Sequence, residues 1–167
     1  MVMSRKFCKS LVFSCLLTLV MASVCLAYTQ PKEIPESDVA IGGITLGASA
    51  SYVRSIYGAP DSITDINNGK GSEPLTLFRY GDSFFVYLNQ HSGRVAKVES
   101  TGNNGLKTPA GFAVGMKISD VARHYKDAGR SANGGKFYAY TAKWWKILAF
   151  QANDVGIITS ISIYGTD

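Results

Sequence analysis

Beyond residue 25 the chain has no cysteine, because Cys8, Cys15 and Cys25 all fall in the opening segment. A disulfide framework and a thiolate metal site are therefore excluded from the rest, and stability has to come from burial and hydrogen bonding. Histidine is nearly as scarce: His91 stands in a turn context and His124 on a predicted helix. A zinc site would need both of them to meet carboxylates, and none is expected. Charge is sparse too, at 17% Asp, Glu, Lys and Arg, and the cations are scattered. No run neutralises several phosphates, which argues against nucleic acid as a partner. After residue 27 no apolar stretch approaches the length of a membrane-spanning helix.

The start of the chain has the three parts of a secretory signal in order. Arg5, Lys6 and Lys9 precede the apolar run Leu11–Val20, and Ala22-Ser-Val-Cys-Leu-Ala27 offers small residues for cleavage after Ala27. The spacing predicts a signal peptide over 1–27 and an exported product, periplasmic or secreted. A lipid anchor at Cys25 is not expected, because Val24 stands where a lipoprotein signal requires Gly, Ala or Ser. Removing three cations from the 17 leaves 14 against 12 acids, a net charge of about +2. Tyr28–Asp38, with two prolines and little to bury, predicts an extended tether. Residues 39–167 are expected to form a single globular domain.

That domain reads as two copies, 39–105 and 106–167. Gly43-Ile-Thr-Leu-Gly47 matches Gly111-Phe-Ala-Val-Gly115, followed at the same offset by Ser51 with Ser119, Val53 with Val121 and Tyr57 with Tyr125. Each copy predicts a short helix with one buried stripe, capped by Ser49 or Ser51 in the first and by Ser119 or a neighbour in the second. The strand candidates are Thr76–Tyr80, Ser83–Asn89 and Arg94–Thr101, then Lys136–Thr141, Lys146–Gln151 and Gly156–Tyr164. Asp61–Pro74 and Lys126–Lys136, rich in Gly, Asn, Ser and Asp, read as loops. The fold class expected is α+β: two tandem copies of a helix plus a three-stranded antiparallel meander, with the helices on one face of the sheet.

Ile44–Pro60 (ITLGASASYVRSIYGAP), and more weakly Lys107–Tyr125, resemble the SmpA/OmlA and β-lactamase-inhibitory-protein-like fold. The resemblance implies a non-catalytic module that binds other proteins, as an enzyme inhibitor or a small envelope-assembly subunit, with its sheet face or edge loops. In two places the chain departs from that pattern. Tyr52 replaces the acid expected before the helix valine, and Lys126-Asp-Ala-Gly129 replaces the Gly-x-Pro helix stop in the second copy.

No reaction chemistry emerges from the motifs, and no enzyme or cofactor is expected. Gly47-Ala-Ser49-Ala-Ser51 lacks the final glycine of a nucleophile elbow. Gly134-Gly-Lys136 lacks the first glycine and the Ser/Thr of a phosphate loop. Asp65-Ile-Asn-Asn-Gly69 with Glu73 has oxygen ligands but not calcium-loop spacing. What the chain does have is aromatic residues in its strands. Strand alternation sends Phe85 and Tyr87 to the face opposite Phe84, Val86 and Leu88. Phe85, Tyr87, Tyr138, Tyr140, Trp144 and Trp145 are accordingly the candidate binding surface for another protein. The alternative is a small or polymeric ligand such as a glycan, which also stacks on Tyr and Trp.

Overall fold

The computed structural model describes residues 33–67, 69, 72–126, 128–132, 135–140 and 145–165. The predicted signal peptide and Trp144 lie outside the described residues. The folded unit falls within Pro31–Asp167. It contains a 3-10 turn at Glu36–Asp38, a hairpin of β1 (Ala40–Ile41) and β2 (Ile44–Thr45), and helix α1 (Ala50–Tyr57). Then follow β3 (Ser62–Ile66), β4 (Leu75–Tyr80), β5 (Phe84–Asn89) and β6 (Val95–Ser100). Helix α2 (Ile118–His124) leads into β7 (Gly129–Ala132), β8 (Lys136–Tyr140), β9 (Lys146–Ala152) and β10 (Ile158–Gly165).

This corrects the expected fold class. The described residues are predominantly β, with one antiparallel sheet of eight strands in the order β3-β4-β5-β6-β10-β9-β8-β7 and a separate two-stranded hairpin. It is not a pair of helix-plus-three-strand copies. Four strands follow each helix, and β3 and β7 lie in stretches that read as loops. The reason is their position. Both are edge strands, and all of β3 but Ile66 is exposed. An edge strand with little to bury needs no apolar alternation, so Ser-Ile-Thr-Asp-Ile and Gly-Arg-Ser-Ala carry no strand pattern.

The core lies on one face of the sheet. Across the strands Phe78, Val86, Val98, Ile163, Leu148 and Ala139 are aligned as successive Cα partners, and each is buried. A second buried row runs from Phe84 through Ser100, Ile161 and Phe150 to Phe137. Both helices pack on this face. Val53 of α1 and Val121 of α2 are fully buried. Tyr57 lies 4.9 Å from Phe84 between ring centroids, and Tyr125 lies 6.4 Å from Phe137.

Ser49 caps α1 by accepting from the Tyr52 amide at 3.1 Å. At α2 the N-cap is Lys117, which makes no side-chain cap, and Ser119 sits inside the helix instead of capping it. Gly58, with φ of 77°, ends α1 where a left-handed backbone is needed.

Between the helices lies the hairpin, with Val39, Ile41 and Ile44 almost wholly buried. It is clasped from both sides: the Tyr57 hydroxyl donates to the Gly42 carbonyl, and the Tyr125 hydroxyl donates to Asp38 Oδ2 at 3.2 Å. Residues 34–38, expected to belong to the tether, enter the same core through Ile34, which is 3% exposed. Glu36 adds an ion pair with Lys146.

Candidate functional site

Since α1, α2 and the hairpin all cover the first sheet face, none of them crosses the second. That face is made by the alternate residues of the same strands. One row runs from Arg79 through Phe85, Glu99 and Ser162 to Ala149, and the next from Leu77 through Tyr87, Lys97 and Tyr164 to Ile147. Phe85, Tyr87, Lys97, Glu99, Ser162 and Tyr164 are half-buried and Ile147 is buried. Apolar and aromatic groups therefore occupy a face that such an antiparallel sheet commonly turns to water.

At its centre Tyr87, Lys97 and Glu99 form a compact cluster. Lys97 Nζ is 3.0 Å from Glu99 Oε2 and 5.0 Å from the centre of the Tyr87 ring, and the Tyr87 hydroxyl donates to the same carboxylate oxygen at 3.4 Å. The Lys97 and Glu99 side chains are 34% and 23% exposed, so the ion pair is partly withdrawn from solvent. Burial pushes the Tyr87 phenol pKa up, and the adjacent Glu99 charge and its hydrogen bond push it further. Tyr87 therefore stays a neutral hydrogen-bond donor at any physiological pH. Beside the cluster, on β9 and β10, is a shallow concavity of about 130 Å³.

The structure separates the six candidate aromatics. Phe85 and Tyr87 share the second face on β5. Tyr138 and Tyr140 are in β8, paired by backbone register with Ala149 and Ile147. In the sheet order β8 is four strands from β5, about 19 Å at ordinary strand spacing. Trp145 precedes β9 and is 43% exposed, with Lys146 Nζ 4.3 Å from its ring centre. It borders a different hollow of about 240 Å³ at the end of the sheet, formed with Leu46, Gly47, Val95 and Ala96. Only Phe85 and Tyr87 of the described side chains thus belong to one cluster.

The residues that join them, Lys97, Glu99, Ser162 and Tyr164, were missing from the sequence-predicted surface. The signal for Ser162 and Tyr164 is the alternation in Ile161-Ser-Ile-Tyr164, which puts them opposite two core isoleucines, and Lys97 and Glu99 flank the buried Val98 in the same way.

The other candidate chemistries resolve simply. Asp65 accepts from the Thr76 hydroxyl at 2.7 Å, whereas Glu73 accepts from Asn89 and faces His91 at 3.3 Å. Among the described residues no group of three or more His, Asp or Glu side chains is placed to hold a metal ion. His124 is exposed, stacking edge-on against Phe112 and Tyr125 rather than entering the core. Ser49 and Ser51 bond to each other at 2.9 Å beside the α1 cap, with no base in reach among their hydrogen-bond partners.

No protein-family model matches the chain, and no curated protein matches it. Two solved structures resemble it. One is an extracellular protein containing a SCP domain from Bacillus anthracis, 11% identical with a TM-score of 0.54. That alignment covers 82% of this chain and 49% of the other, so the chain spans about half the length of the structure it matches. The other is a DUF4309 family protein, YjgB, from Bacillus subtilis, 10% identical with a TM-score of 0.41, covering 80% and 88% of the two chains. At these identities what the first likeness shows is the fold.

Proposed function

We propose that this is an exported, non-catalytic protein-binding module whose docking surface is the second sheet face, centred on Phe85 and Tyr87. The observation that carries the reading is the distribution of packing: two helices and a hairpin crowd one face, yet aromatic and aliphatic side chains also fill the other. Tyr and Phe on a rigid sheet give large contact area at small entropic cost, and the Tyr87 hydroxyl adds a donor. Export is supported by the charged-apolar-small order of residues 1–27, and an extracellular protein has the same fold over most of this chain.

The test is capture from native envelope and secreted fractions with wild-type protein, a Phe85→Ala/Tyr87→Ala variant and an Arg123→Ala control on α2. A partner held by the wild type and the control should be lost by the double variant, since a buried aromatic anchor contributes about 2 kcal/mol or more. Equal capture by all three would remove the sheet face as the docking surface. A glycan reading is separated by melting: small neutral glycans should leave the melting temperature unchanged.

A further inference from the structure

The concavity beside the Tyr87–Lys97–Glu99 cluster has a chemical character of its own. Over a floor that includes Ala149 and Phe150, its side-chain polar groups come from Glu99, Lys136, Gln151, Ser160, Ser162 and Tyr164. Register explains the convergence: Ser160 and Lys136 are both Cα partners of Gln151, and Ser162 is the partner of Glu99. The one acid of the set, Glu99, is already neutralised by Lys97 at 3.0 Å. Among the described residues the side chains of Lys136, Gln151, Ser160 and Ser162 make no hydrogen bond or ion pair. An unpaired ammonium, two hydroxyls and a primary amide thus surround one small hollow, with a net positive charge once the ion pair is set aside.

We infer that this notch receives a carboxylate side chain, Asp or Glu, of the protein docked on the sheet face. Lys136 supplies the charge, and the hydroxyl and amide donors can satisfy the second oxygen and the remaining lone pairs, which a carboxylate buried in an interface requires. A volume of about 130 Å³ suits one side chain better than a chain segment. Among the described residues of the lining, a basic side chain finds no acid that is not already paired. The inference rests on the docking reading of the same face and adds the partner's chemistry to it.

The test is an amide-resolved NMR titration of the full chain with a short capped glutamate peptide, its lysine counterpart and chitobiose, on wild type, Lys136→Gln and Ser162→Ala. The glutamate peptide should shift Lys136, Gln151, Ser160 and Ser162 selectively. Its affinity should fall roughly tenfold in Lys136→Gln, as expected for loss of a charge-assisted bond, and weaken with added salt. Shifts scattered over the whole surface, equal affinity in Lys136→Gln, or the same response to the lysine peptide or to chitobiose would overturn the inference. Lys136 is exposed, so its variant should fold, and Ser162→Ala checks the donor set independently. If the notch stays silent while Phe85→Ala/Tyr87→Ala abolishes partner capture, the docking face stands and only the acidic notch falls.

Discussion

At the scale of single residues, the phenols at the helix ends have the clearest thermodynamic consequences. Tyr125 is buried, and both desolvation and the adjacent Asp38 raise its pKa far above the ordinary 10.0. Below that pH folded and unfolded chains both keep the proton, and this group adds no slope. Above it the unfolded chain ionises first, so stability falls as pH rises through the strongly alkaline range. Tyr57, also raised by burial, acts in the same direction. Urea melts of wild type and Tyr125→Phe from pH 8 upward should therefore show a steeper alkaline loss in the wild type. Parallel curves would mean that Tyr125 is hydrated in the native state. Val53→Ala and Val121→Ala should each cost about 1–3 kcal/mol, because both valines are fully buried beneath their helices. Comparable losses at the two sites, read from denaturant midpoints at unchanged slope, are the expected result.

Elements differ in how openly the sequence announces them, and the difference follows what each one buries. The central strands alternate core and second-face residues and could be placed within a residue or two. β3 and β7 could not, because both are edge strands held by one ladder, and β3 exposes nearly all of its side chains. Legibility of the site followed the same rule. Phe85 and Tyr87 could be assigned to a face by alternation, as could Ser162 and Tyr164, but that the second pair lies beside Lys97 and Glu99 depends on a β6–β10 pairing that no local pattern encodes. The helix starts offer a test at this scale. Lys117 has the extended backbone of an N-cap, φ −80° and ψ 132°, but no side-chain acceptor. Lys117→Ser should thus stabilise by about 0.5–1 kcal/mol, whereas Ser49→Ala at α1 should cost about 1 kcal/mol. A thermal melt of each variant decides it. Gly135, with φ of 69° and the Ala152 carbonyl oxygen 2.7 Å from where a Cβ would stand, should not tolerate alanine.

For the molecule as a whole, the β6–β10 ladder is the joint between two four-stranded meanders. Val98 and Ile163, partners across it, are fully buried and about 65 residues apart in sequence. Truncating Ile163→Ala should cost about 2–4 kcal/mol and still give a single transition in which both meanders unfold together. Far-ultraviolet dichroism and tryptophan emission should lose signal at the same urea concentration, and two separate midpoints would show that the halves fold on their own. Contacts so distant in sequence also place refolding in the slow range, milliseconds to seconds, measurable by stopped flow.

The position of β10 has a further consequence for the order of assembly. It is the last of the described strands in sequence, yet it lies in the middle of the sheet, between β6 and β9. The hairpin near residue 40 is made well before it, and the surface it rests on is formed by β6 and β10. A chain emerging residue by residue from a ribosome or a translocation pore cannot close its core until Ile158–Gly165 have arrived. Up to that moment the hairpin has only the β6 half of its surface to settle on, and the first meander keeps an open inner edge. Among the described strands the keystone is placed last, and the core stays open until then.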